Sequence, residues 1–260
     1  VSAINKSAGV RAIPVSTETL AVIQQSLEIS KRSEGAFDIT WAGLRGLWDF
    51  KTPGPIPKPS TVRSRLQNVG WSMVAVDPKG RTVRIQREGI QIGLGGIAKG
   101  YGIDRAVVIL KEHGLKRFLV NGGGDLVGFG QKRSGKPWMV GVQHPRQNGD
   151  MLARLPVDGR AIVSSGDYER YFEAGGVRYH HILDLKTGYP ARKSVAVTVR
   201  APSAMVADAL CTAIFVMGPM QGLRLAAGFP NVDVAVLTPN GLITRSKGME
   251  PHFPERWDQR

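Results

Sequence analysis

Gly93-Leu94-Gly95-Gly96-Ile97-Ala98-Lys99-Gly100-Tyr101 is the stretch on which the reading of the fold turns. It follows a strand-like segment, Val83 to Leu94, and opens an amphipathic helix, Lys99 to His113, that stops at Gly114. Ile103, Val107 and Leu110 share one face of that helix. Glycines at a helix N-terminus leave backbone N–H groups free, and Lys99 adds a fixed cation at the same point. A phosphate or pyrophosphate is held by that combination. Two readings stay open. Gly93-x-Gly95-x-x-Ala98 satisfies the dinucleotide fingerprint G-x-G-x-x-G/A. The other is a phosphate site of a different kind, in which Lys99 matters.

Before this turn, Ser16 or Thr17 caps a helix with Leu20, Ile23 and Leu27 at helical spacing, and Gly35 stops it. Gly35-Ala36-Phe37-Asp38 and an aromatic stretch with Trp41 and Trp48 come next. Pro53, Pro55, Pro57 and Pro59 predict an extended loop, and Ser60 a short helix to Gly70. Met73–Asp77 and Thr82–Arg87, joined through Pro78-Lys79-Gly80, read as a hairpin. Beyond the central helix, Phe118-Leu119-Val120 reads as a short buried strand that runs into Asn121-Gly122-Gly123-Gly124-Asp125. Strands are expected at Trp138–Val142, Leu152–Val157, Ala161–Ser164, Val177–Asp184 and Ser194–Arg200. A helix from Ser203 or Pro202 to Met217, apolar all round, belongs at the centre of the fold. A second helix to Gly228 and strands near Val232–Leu237 and Leu242–Thr244 close the chain. Strand meanders mixed with a few helices indicate α+β rather than strict βαβ alternation.

Composition narrows the functional classes. The 260 residues, 42% hydrophobic with 32 glycines and 16 prolines, read as globular and rich in turns. No apolar run reaches the ~18 residues of a membrane span. A lone cysteine, Cys211, rules out an internal disulfide framework and suits either cytoplasm or periplasm. The net charge of +14 is scattered, and Lys132-Arg133 with Lys136 is the nearest thing to a cluster. No RNP-like aromatic pattern or recognition helix accompanies it, so nucleic acid is not the expected partner. A basic surface facing an acidic partner or an anionic cofactor is the better reading.

Asp208 and Thr212 lie four residues apart on the apolar helix, so their oxygens project from one face. A carboxylate there is expensive unless paired, and a hard oxygen site for Mg²⁺ is one solution. The alternative is a capping or salt-bridged aspartate beside a buried threonine. His180 and His181, read on one strand, face opposite sides, and either suits a general base. A structural hydrogen bond explains them as well. Zinc has no support, because neither H-E-x-x-H nor a cysteine pair occurs. Neither a P-loop nor a G-x-S-x-G elbow is present. At Asn121–Asp125 a ligand or second backbone is expected to come close, since an ordinary hairpin less easily explains three glycines.

Taken in order, these segments resemble the ApbE family of FAD:protein FMN transferases. The matching residues are Gly35-Ala36-Phe37-Asp38, Gly95 to Tyr101 with Asp104, Asn121 to Asp125, Ser165-Gly166-Asp167-Tyr168, His181-Ile182-Leu183-Asp184 with Thr187-Gly188, and Ala201 to Ala204 through Asp208 to Thr212. The resemblance implies an α+β, T-fold-like domain of mixed sheets with packed helices. It is expected as a single large domain over residues 1–260, with 246–260 as a C-terminal tail. Ser2-Ala3-Ile4-Asn5 resembles an interior family segment, which implies that a signal peptide and the first strands are missing from this chain.

The activity implied is splitting of FAD and transfer of FMN to a Thr or Ser hydroxyl of an acceptor flavoprotein, with release of AMP. Asp208, Thr212 and the backbone oxygen of Gly96 are the implied Mg²⁺ ligands. Lys99 faces the pyrophosphate, and His181 matches the catalytic histidine. Ala36, Phe37, Asp38 and backbone near Leu183 line the flavin nucleotide pocket, and Gly93, Gly123 and Asp125 are counted with the ligand. The family suggests a periplasmic or membrane-anchored protein, with acceptors in respiratory complexes or nitrous-oxide reduction. At Gly93 the family commonly carries an aspartate that helps to hold FAD, so plain FAD hydrolysis and a non-catalytic FAD-binding role stay open. Against a Rossmann-type oxidoreductase, the fingerprint is in mid-chain and the next strand ends in Asn121 rather than an acid.

Overall fold

The computed structural model describes residues 1–50, 54–157 and 159–258. Residues 1–96 carry α1 (Ser2–Lys6), β1 (Ile13–Pro14), α2 (Thr17–Arg32), α3 (Pro59–Leu66), β2 (Val74–Asp77) and β3 (Thr82–Ile85). Next come α4 (Ala98–Glu112), β4 (Phe118–Gly122), β5 (Asp125–Phe129), β6 (Trp138–Gln143), β7 (Met151–Val157) and β8 (Ala161–Gly166). Four short strands follow: β9 (Tyr171–Ala174), β10 (Val177–His180), β11 (Leu183–Asp184) and β12 (Tyr189–Pro190). The chain ends with β13 (Ala196–Ala201), α5 (Ala204–Met217), α6 (Pro219–Ala227), β14 (Asp233–Leu237) and β15 (Ile243–Arg245). Two compact units result. One combines Val1–Gly96 with Arg170–Pro190, and the other Ile97–Glu169 with Ala191 onward.

In the first unit Ser16 caps α2, its side chain accepting the Thr19 N–H at 3.2 Å, and Leu20, Ile23 and Ile29 are buried. The expected hairpin is β2–β3, joined on its other edge by β1 in an antiparallel sheet of order β1-β3-β2. Two expectations need correction here. Helix α3 begins at Pro59 rather than Ser60 and ends at Leu66 rather than near Gly70. A first-turn proline gives up no helical hydrogen bond and presets φ, so Pro59 starts the helix instead of extending the loop. Pro53 lies outside the described residues. The single strand expected over Val177–Asp184 is two, broken after His180. There the Ile182 N–H turns back to His180 Nδ1 at 3.3 Å, and the His181 N–H donates to the Arg170 carbonyl at 3.1 Å.

A six-stranded antiparallel sheet of order β15-β14-β13-β8-β5-β4 organises the second unit. Every residue of the middle strand β13 is buried, so both faces of the sheet are covered. Side chains alternate across it with period 2. Leu126, Ile162, Ala196 and Leu237 share a core with Val142, Leu152 and Leu155 of the β6–β7 hairpin. On the other face lies α5, as its all-round apolar sequence predicts, against β8 and β13. Residues 246–258 are no loose tail: Met249, Phe253 and Trp257 are buried in the β6–β7 core.

Strand β4 was expected to be buried but is an edge strand, with Leu119 exposed and Phe118 buried. Gly123 and Gly124 form its two-residue turn into β5, both at positive φ (62° and 96°), as a type I′ hairpin requires. A Cβ at Gly122 would meet the Ile103 side chain at 2.9 Å. All three glycines therefore have structural causes: two form the hairpin turn and the third makes room for Ile103. Every strand pairing among the described residues is antiparallel. A dinucleotide fold needs parallel βαβ units, so the fingerprint reading of Gly93–Ala98 falls.

Candidate active site

The strand expected to deliver Gly93 ends early, at Ile85. Residues 90–94 belong to no strand, and two side chains and one backbone carbonyl serve their backbone groups. Asn5 donates to the Ile92 carbonyl at 2.9 Å and accepts the Ile92 N–H at 2.8 Å. The Gly93 N–H reaches the Ile39 carbonyl at 2.7 Å, and the Trp41 indole N–H donates to the Gly93 carbonyl at 3.0 Å. A Cβ at Gly93 would stand 3.0 Å from the Trp41 ring and 3.2 Å from an Arg45 nitrogen. The bare backbone at 93 is thus matched to an indole packed beside it.

Ala36, Phe37 and Asp38 are buried in the same unit. Asp38 Oδ1 accepts the N–H and hydroxyl of Thr40, both at 2.7 Å, and Oδ2 accepts the Trp71 N–H at 2.9 Å. Burial raises its pKa above the ordinary carboxylate value, and those hydrogen bonds only partly oppose it. Leu183 is half-buried and pairs with Pro190 across β11–β12. His180 is buried, whereas His181 is exposed at the bend after β10. Strand alternation therefore does not separate the two histidines; the break in the strand does.

In the second unit the chemistry gathers where α4 and α5 cross. Ile97 is the N-cap of α4, directly after Gly96, and has no capping side chain. A carboxylate from the other helix supplies the acceptor: Asp208 Oδ2 takes the Gly100 N–H at 3.1 Å. A Cβ at Gly100 would collide with the Ala204 carbonyl, so glycine is what lets the helices approach. The exchange is mutual. Asp104 of α4 accepts the Ser203 hydroxyl at 2.7 Å, the Ala204 N–H at 2.8 Å and the Met205 N–H at 3.0 Å, at the start of α5.

Beside this crossing Lys99 Nζ lies 2.9 Å from Asp125 Oδ2. Lys99 is half-exposed and Asp125 is buried, which explains why both pKa values rise. Burial pulls the ammonium down, but the pairing outweighs it; for Asp125 burial outweighs what Lys99 contributes. Asp208 is pushed up to about 6, first by burial and then by the nearby Asp125 charge. Thr212 is half-buried one turn further along α5. Cys211 between them is fully buried core, its Sγ 3.1 Å from the Val197 carbonyl. Nothing approaches the open Cβ position of Gly123 within 4 Å.

Among the described residues no three His, Cys, Asp or Glu side chains gather as a metal cluster. A cation here therefore depends on neutral oxygens beside Asp208. The donors fit Mg²⁺: a buried carboxylate, held by a single hydrogen bond and costly to ionise, with a hydroxyl one helical turn away. Sequence reasoning singled out Asp208, Thr212 and Lys99, but gave no role to Asn5, Trp41 or Asp104. The only signal for Asp104 is its place five residues after Lys99 in the same motif.

A profile of the ApbE family matches residues 1–236. The chain is 32% identical to an FAD:protein FMN transferase of Haemophilus influenzae, across 90% of this chain and 70% of the relative. It is 33% identical to an FAD:protein FMN transferase of Treponema pallidum, across 96% and 73%. The crystal structure of the ApbE protein of Thermotoga maritima superposes with a TM-score of 0.86 at 37% identity, over 98% of this chain and 83% of that one. The flavin transferase ApbE of Vibrio cholerae superposes with a TM-score of 0.85 at 30% identity, over 97% and 82%. With its antiparallel α+β architecture and its motifs in the family's order, the chain belongs to the ApbE family.

Proposed function

We propose that this chain transfers FMN from FAD to a Thr or Ser hydroxyl of a target protein, with Mg²⁺ as cofactor and AMP as the second product. The observation that carries the reading is the state of Asp208: buried, costly to ionise, and aimed from α5 at the first turn of α4. A charge of that kind is retained where a cation compensates it. Asp208 and Thr212 are the proposed side-chain ligands, and the Gly96 carbonyl, drawn from the family resemblance, is the third. When bound, Mg²⁺ reduces the negative charge of the pyrophosphate that repels an incoming alkoxide.

The chain's own residues divide the remaining work. Lys99 adds positive charge at the bridging phosphates, and Asp125 holds its ammonium in place. His181, exposed at the bend after β10, takes the proton from the acceptor hydroxyl. The hydroxyl oxygen bonds to the phosphorus of the FMN half while the pyrophosphate P–O bond breaks. Its electron pair leaves with AMP. Ala36, Phe37, Asp38 and backbone near Leu183 are the proposed lining of the flavin side. Because Asp38 spends both oxygens on protein donors, it shapes that wall rather than contacting ligand with a free carboxylate.

A second reading, hydrolysis of FAD to FMN and AMP, draws support from Gly93, where the family's aspartate is absent and Trp41 packs instead. Incubation with FAD, Mg²⁺ and a candidate acceptor separates the readings. Transfer adds the mass of FMN to the acceptor and makes its band fluorescent in a denaturing gel. AMP formed without acceptor identifies the hydrolase, and no product at all leaves only FAD binding. The proposed acceptors belong to respiratory membrane complexes or nitrous-oxide reduction, and the proposed location is the periplasm, with or without a membrane anchor.

A further inference from the structure

We propose that Asp104 is a positioning residue that sets where Asp208 presents its carboxylate. The inference rests on the reading of Asp208 as a metal ligand. Gly100 and Asp104 are one turn apart on α4, and Ala204 and Asp208 are one turn apart on α5. The four form a crossed pair in which each helix hands a carboxylate to the other's first turn. Asp208 takes the Gly100 N–H at 3.1 Å. Asp104 takes the Ala204 and Met205 N–H groups at 2.8 and 3.0 Å, and the Ser203 hydroxyl at 2.7 Å. Ser203 Oγ then accepts the Val206 N–H at 3.3 Å. The unpaired donors that begin α5 are thereby tied, directly or through one hydroxyl, to a residue of α4.

This tie controls the roll of α5. An oxygen carried about 5 Å from a helix axis moves about 2 Å when the helix rolls by roughly 20°. An error of ~1 Å is enough to spoil a ligand's aim. Asp104 resists that roll at the N-terminal turn, one turn before Asp208. Backbone contact at Gly100 and Ala204 fixes the separation of the helices, since no side chain stands between them. Asparagine is a poor substitute at 104. Oδ2 receives both the Ser203 hydroxyl and the Met205 N–H, and an amide NH₂ in its place would face a donor.

Titration of the purified protein with Mn²⁺, followed by loss of the free-ion electron paramagnetic resonance signal, tests the assignment. Asp104→Asn is expected to weaken Mn²⁺ binding by about ten- to a hundredfold while the protein stays folded. Ser203→Ala, which removes one of the three bonds, weakens it less and carries the test if Asp104→Asn fails to fold. Ser246→Ala, remote in the same unit and bonded to Asp233, is the stability control: it lowers Tm and leaves Mn²⁺ affinity unchanged. In the transfer assay excess Mg²⁺ rescues Asp104→Asn but not Asp208→Ala. Mn²⁺ affinity in Asp104→Asn within twofold of wild type, or a loss that Ser246→Ala matches, overturns the positioning role. Failure of the wild-type protein to retain Mn²⁺ removes the metal reading, and this inference with it.

Discussion

Asp208 holds its charge in a place where neutrality is easier. Its pKa stands at about 6 in the folded chain against 3.8 for an ordinary aspartate. The folded state thus binds the proton more readily than the unfolded one between those values. Stability is fully kept below about pH 4 and falls by about 2–3 kcal/mol as pH rises through 6. Asp208→Asn removes that penalty. Without divalent cation the variant should be about 1–2 kcal/mol more stable than wild type at pH 8, with the gap closing by about pH 4; thermal melts across pH read this directly. Mg²⁺ should raise Tm of the wild type and leave the variant unmoved. Lys99 poses the complementary case. Lys99→Met leaves the buried Asp125 without its cation, at a cost of about 1–3 kcal/mol at pH 8, discounted for the half-exposed lysine. Urea melts should show that cost shrinking in acid, as Asp125 takes up a proton.

At the scale of elements, the crossing of α4 and α5 is set by backbone rather than by large side chains. Gly100→Ala pushes its new methyl into the Ala204 carbonyl, separates the helices and stretches the Gly100–Asp208 bond. A loss of about 1–3 kcal/mol is expected in urea melts, together with weaker metal binding. The sheet has its own polar anchor. Arg200 on β13 faces Asp233 on β14 in register, and its guanidinium donates to Asp233 at 2.8 Å and to the Gly248 carbonyl at 2.9 Å. Arg200 is buried, so Asp233→Ala strands a charge and should cost about 3–5 kcal/mol by thermal or urea unfolding. That loss should come without any change in Mn²⁺ affinity, because the pair serves the sheet and not the helix crossing.

For the molecule as a whole, the activity assay tests His181 of the first unit and Asp208 of the second one by one. Asp208→Ala should abolish transfer. His181→Ala should slow it by about a hundredfold or more, with FAD binding retained. Full transfer in either variant, measured by the mass of the acceptor, removes that residue from the mechanism. If Gly93 tilts the chain toward hydrolysis, AMP should appear without acceptor at a rate comparable to transfer, and His181→Ala should leave more of that rate intact.

Periodicity and capping signals alone determined much of the fold: α2 behind Ser16, the β2–β3 hairpin, the central α5 and the α+β class. These depend on contacts between residues near in sequence and on which faces are apolar, and both are written along the chain. The shared face of Asp208 and Thr212 is equally local, a consequence of helical pitch. Tertiary structure alone decided that the β4–β5 glycines are accounted for by a tight turn and close packing, that the chain breaks after His180, and that residues beyond 246 complete a core. It also brought Asn5 to Ile92 and Asp104 to α5 across 87 and about a hundred residues of chain. No local pattern encodes such pairings. They arise because an unpaired backbone N–H or carbonyl inside a fold must find a partner, and the packing of distant elements decides which side chain is near enough to serve.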